Sequence, residues 1–305
     1  MAPKPAASVR LTAAVLGSVV AAGCSAAATH SPSQRQAVPP VVSVPLPGEE
    51  ARGLTVPFDA YNFSPAEIMT IEAAEDLLIR DCMRDQGMAW EVLPQARQED
   101  VEPPHRRRYG VIEPQMAQLF GYHVPAERPS VAERRARWDV RTAKLSAQER
   151  RAAYGDDTAG DGGGCARQAR RTRLQGAPKV DSSLFNRLIE QTFEASQRDE
   201  NVVRAFQSWS ACMTAVGVRY ANPLQAVTDE RWMRDDRPSS AEIRVATADV
   251  RCKEKTDLVA VWARAEKRLQ DDAVRGHAEQ FRVLKASKDQ QLLTARRLLT
   301  RESSG

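Results

Sequence analysis

Cysteine is the residue type whose placement in this sequence most invites a chemical reading. Cys82, Cys165, Cys212 and Cys252 include no Cys-x-x-Cys pair, and none of His30, His105, His123 or His277 lies near one of them in sequence. A thiol without a neighbouring imidazole or second thiol lacks the usual help for nucleophilic, redox or zinc chemistry. An even number of cysteines in an exported chain points to structural disulfides instead. Other signatures are missing on inspection: no Gly-x-Ser-x-Gly, no His-Glu-x-x-His, no phosphate-binding glycine loop, no Rossmann fingerprint and no Ser-x-x-Lys. Asp156, Asp157 and Asp161 stand near a glycine run, but a calcium loop needs a different spacing, and Arg167 occupies the twelfth position, where a bidentate Glu belongs. No catalytic residue, cofactor or metal is expected, and the enzyme class is disfavoured.

The spacing around the cysteines repeats. Ala74 to Pro94 reads AEDLLIRDCMRDQGMAWEVLP and Ala205 to Pro223 reads AFQSWSACMTAVGVRYANP. Both contain Cys-Met-x-x-x-Gly, an aromatic three residues later (Trp90, Tyr220) and then a proline, a pattern that suggests duplication. By the symmetry of the two halves, Cys82 pairs with Cys165 and Cys212 with Cys252, one of three connectivities open to four cysteines.

The elements that must hold these residues are helices. Ser64-Pro65-Ala66-Glu67 is a capping box with proline at the first helical position, and Ile68, Ile71, Ala74, Leu78 and Cys82 then share a face. In the second copy Val202, Phe206, Trp209, Met213 and Val216 do the same. Gly87 and Gly217 suit the left-handed position that ends a helix. Ser239-Ser240-Ala241-Glu242 opens the helix that carries Cys252, and from Leu258 an apolar stripe continues to Leu299 without a proline, as one long helix or two in line. That stripe reads as core, with Leu292, Leu293, Leu298 and Leu299 as an alternative contact for a partner. Strand signals are confined to Met88–Val92 and Val218–Ala221, which could pair as a small two-stranded ribbon. The fold class expected is mainly α: a duplicated helical domain stapled by two disulfides, with little or no β and a long C-terminal helix.

The amino terminus carries a different message. Lys4 and Arg10 precede twelve uncharged residues, Leu11 to Ala22, too short to span roughly 30 Å of hydrocarbon but suited to a signal-peptide apolar region. Ala21, Ala22, Gly23 and Cys24 then resemble a bacterial lipobox, in which the cysteine is lipidated and becomes the first mature residue; a signal peptide cut at an Ala-x-Ala site is the alternative. Residues 1–23 are expected to be the signal peptide. Residues 24–57, rich in proline and poor in aromatics, are expected to form a disordered tether. Residues 58–305 form the helical ectodomain, with repeat halves at about 64–175 and 182–285.

Charge excludes one class. With 44 basic and 40 acidic residues the net charge is only +4, not the signature of a nucleic-acid binder. Between His105 and Gln175, however, 15 basic residues face 8 acidic ones, so the rest of the chain is slightly acidic. Arg106, Arg107, Arg108, Arg134 and Arg135 lead this basic stretch as a contact for anionic lipid headgroups or wall polymers; a solvated helical face is the competing reading.

The lipobox, the two Cys-Met-x-x-x-Gly strings, the Gly-Gly-Cys at Cys165 and the string Ala248-Asp249-Val250-Arg251-Cys252-Lys253 with Trp262 downstream together resemble a group of uncharacterised actinobacterial secreted lipoproteins. The resemblance spans most of Ser64 to about Leu284. It implies an accessory role at the membrane beside a transporter or adaptor protein, and it lends no catalytic residue. The function expected is a membrane-anchored extracytoplasmic lipoprotein that binds or assists without catalysis. The alternatives are an envelope hydrolase with a site assembled from distant residues, or a binder of anionic wall polymer.

Overall fold

A computed structural model of the chain describes residues 43–156 and 163–303. Among them are twelve α-helices and no strand: α1 Glu49–Gly53, α2 Pro65–Asp85, α3 Pro114–Phe120, α4 Pro129–Lys144, α5 Ala147–Tyr154, α6 Gly164–Arg173, α7 Ser183–Gln197, α8 Glu200–Ala215, α9 Pro223–Val227, α10 Ser240–Lys255, α11 Leu258–Gly276 and α12 Ala278–Ser303. The helix ends follow from local chemistry. Ser64 Oγ accepts from the Glu67 amide at 3.2 Å while the Glu67 carboxylate accepts from the Ser64 amide at 2.8 Å, the reciprocal box that opens α2. Asp199 and Ser239 cap α8 and α10 in the same spirit.

The two repeat helices end alike. Gly87 donates to the Arg84 carbonyl at 2.9 Å and Met88 to Met83 at 2.9 Å; Gly217 donates to Thr214 at 3.0 Å and Val218 to Met213 at 3.0 Å. Both glycines adopt the left-handed conformation, with φ of 72° and 82°, which leaves carbonyls of the last turn paired and reverses the chain. The segments that follow do not form the expected ribbon. Each folds back on its own helix instead: Trp90 donates its indole N–H to Asp76 of α2, and Ser210 of α8 donates to the Tyr220 carbonyl. With their polar groups directed to their own helices, the two segments are not left as strand edges for each other.

The disulfides join Cys82 to Cys165, with Cα atoms 5.6 Å apart, and Cys212 to Cys252, at 5.7 Å, the pairing the repeat predicts. Loops of 83 and 40 residues contribute roughly 4 to 5 kcal/mol each by restricting the unfolded chain. The symmetry stops there, since Cys165 opens α6 whereas Cys252 lies in the last turn of α10.

The halves share one interior. Val202, Trp209 and Met213 of α8, Ala246 and Val250 of α10 and Leu258 and Trp262 of α11 enclose Tyr109, Val111, Ile112, Met116 and Tyr122, all from the stretch between the two cysteines of the first half. Trp262 sits among the rings of Tyr109, Phe193 and Phe206, with centroids 5.0 to 5.5 Å away. A second layer packs Ile71 and Ala74 of α2 on Leu292 and Ala295 of α12. The long apolar stripe is therefore core through Leu299, with Leu293 turned outward, and His277 separates α11 from α12 as two helices in succession.

One boundary lies upstream of the expectation. Of the segment expected to be tether, Ala51 and Val56 are buried and Val44 and Leu54 pack on the main core. The Pro45 carbonyl accepts from Arg106 at 3.0 Å and from Arg128 at 2.7 Å. Proline-rich backbone lacks donors of its own, and here buried arginines satisfy it.

Candidate functional site

Of the five arginines that lead the basic stretch, four are directed into the protein and engaged by its own acceptors. Arg106 is buried between Glu113 and Glu102. Arg107 donates to the Tyr122 and His123 carbonyls at 2.7 and 2.8 Å. The Arg108 Nε donates to both carboxylate oxygens of buried Glu266, at 2.9 and 3.0 Å, and Arg134 donates to the Pro94 carbonyl and Glu72. Only Arg135 lies largely in solvent, and Glu127 already holds it at 2.7 Å, an ion pair that also keeps the Glu127 carboxyl below its ordinary range. Residues 105–110 run through successive turns rather than a solvated helix. Their positive charge is matched by carboxylates as far away as Glu266, which a local charge count omits.

Three buried carboxylates hold the shared core together. Asp249 accepts from the Trp209 indole at 2.9 Å, Tyr122 at 3.3 Å and Lys253 at 2.9 Å, and Lys253 also donates to the Val111 carbonyl. Burial pushes the Asp249 carboxyl up and the Lys253 ammonium down. Glu266 accepts from Arg108, Tyr109 and Gln270; burial pushes the Tyr109 phenol up. Glu242 accepts from the Tyr122 amide at 2.7 Å and faces His123 Nδ1 at 2.8 Å. Each of the three carboxylates is engaged by the protein's own donors, and each is sealed from solvent. Buried, hydrogen-bonded carboxylates of this kind hold a fold in place.

The open feature lies elsewhere. Between α2 and α4 runs a groove of about 560 Å³, floored by Trp90 and Leu93 and bordered by Tyr154. Its volume falls in the range of small-ligand sites. Pro65, Ile68, Met69 and Ile79 come from α2, and Val131, Trp138 and Arg141 from α4. Ile68 and Trp138 are 44% and 47% exposed, unusual for large apolar side chains facing one another across a cleft. Asp76, buried beneath, accepts from Trp90 Nε1 at 2.9 Å, the Leu93 amide at 2.7 Å and Arg141 Nη1 at 2.7 Å. The Arg141 guanidinium lies 4.2 Å above the Trp90 ring. The remaining carboxylates of the groove are paired as well: Glu72 with Arg134, Glu127 with Arg135 and Glu75 with Arg173. The groove thus joins an apolar interior to walls whose carboxylates are each paired with an arginine.

Sequence reasoning missed this site because α4 reads as a polar, arginine-rich helix. The signal was the spacing of Val131, Arg134, Trp138 and Arg141, which places two apolar and two cationic side chains on one face, and an aspartate in the middle of α2. Cys24, Asp157 and Asp161 lie outside the described residues. Among the described residues no helix is long and apolar enough to cross a membrane, and no group of three or more potential ligands is placed to hold a metal. No protein-family model matches the chain, nor does any curated protein or solved structure.

Proposed function

We propose that the protein is an exported, lipid-anchored binding or accessory protein of the cell envelope, without a reaction of its own, and that the groove between α2 and α4 is where it binds. The observation that carries this assignment is the pair of half-exposed apolar side chains, Ile68 and Trp138, over an aromatic floor in a cleft of ligand size. Export is supported by two disulfides in separate places of a helical fold, and the anchor by the lipobox at Cys24. Two acyl chains on that cysteine would give stable attachment. A membrane transporter or its adaptor is the partner to which such a protein would be matched. Labelled palmitate should enter the wild-type chain and be absent from Cys24→Ala, which should also leave the membrane fraction. A photoreactive side chain in place of Trp138 should give discrete crosslinks in intact cells from the anchored form. Failure of the palmitate label would remove the anchor, and an absence of crosslinks at position 138 would remove the groove.

A further inference from the structure

We infer that the groove binds a long apolar chain ended by a neutral hydrogen-bond acceptor, an acyl ester being the simplest such ligand. The inference rests on the binding role proposed for the groove and names its ligand class. All four carboxylates that line the groove are already paired with arginines, so a charged headgroup would have to break an existing pair or enter without a counter-charge. A neutral chain meets neither obstacle, and the apolar side chains at the rim and floor offer it contact along the whole cleft.

A donor supplies the polar end. Arg141 lines the groove and is 7% exposed, yet its Nε has no hydrogen-bond partner. Its Nη1 is taken by Asp76 and by the Glu91 carbonyl. A buried unpartnered N–H is costly, and a ligand carbonyl would satisfy it without adding charge. Trp138 lies one helical turn before Arg141 on the same face of α4. The Nε itself is buried, so its engagement requires local rearrangement of the side chains around it.

The test uses the full chain carrying Cys24→Ala, so that no lipid on that cysteine competes, with N-phenyl-1-naphthylamine as a fluorescent apolar probe. Monopalmitoylglycerol should displace the probe, and do so about tenfold more tightly than the ether analogue without the carbonyl, the worth of one hydrogen bond. Palmitate and palmitoylcholine should compete more weakly than the neutral ester. Ile68→Glu at the exposed rim should abolish displacement with the melting temperature unchanged. Arg141→Lys retains a cation for Asp76 but removes the Nε, and should erase the preference for ester over ether. Equal binding of ester and ether by the wild type would overturn the polar end. If no acyl compound displaces the probe while crosslinks from position 138 persist in cells, the ligand class is wrong and the binding role stands. Loss of both overturns the two together.

Discussion

His123 is bracketed by acceptors. Its Nδ1 is 2.8 Å from Glu242 Oε1 and its Nε2 is 2.9 Å from the Asp235 carbonyl. Only the doubly protonated imidazolium can donate to both. The Asp235 carbonyl, and then Glu242, accordingly raise its pKa above the ordinary value, against the opposing effects of burial and of the Arg107 charge. A raised folded-state pKa contributes stability that is complete below the unfolded value of about 6.5. That contribution is lost as pH rises through the higher folded value. Replacing His123 by Asn should therefore lower the melting temperature most in mildly acidic buffer, with the gap narrowing in alkaline buffer. Parallel pH profiles for the two proteins would show that the histidine carries no charge in the fold. Nothing in the sequence announces this contact, because Glu242 lies 119 residues from His123 and its local pattern is that of the fourth residue of a capping box.

At the scale of elements, the repeated helix end makes a quantitative statement. Gly87 and Gly217 share positive φ and the same capping bonds, and a Cβ built on either meets nothing within 4 Å. Substitution by alanine thus tests backbone strain alone, and each change should cost about 1 to 2 kcal/mol. Equal losses in denaturant melts are expected; a large difference would mean that the two copies differ in more than their surroundings. Those helix ends were legible from sequence because the information is local: a cap, a periodic face, a glycine. The groove was not. Its charge pairs join residues such as Asp76 and Arg141, 65 positions apart, and no window of sequence contains both. The ribbon failed for a related reason, since alternation in Met88–Val92 reported burial against α2 rather than pairing with another strand.

At the scale of the molecule, the halves are continuous in packing and separate in their disulfides. Tyr109, Met116 and Tyr122 from the first lie in the core of the second, and α12 covers α2. The mainly helical class and both disulfides were legible from sequence, whereas this exchange of core residues depends on tertiary pairing. Between α6 and α7 the connection is exposed and contains Lys179, so limited trypsin treatment should cut there early. The two pieces should co-elute under native conditions and part in denaturant without any reductant. A single unreduced band in denaturant would mean that a disulfide crosses from one half to the other.

Each disulfide closes within its own half, so such a nicked protein would be a heterodimer in all but origin. Its integrity would then obey mass action. Dilution, to which the intact chain is indifferent, would become a denaturant, and the concentration at which the pieces fall apart would measure directly how strongly one half holds the other.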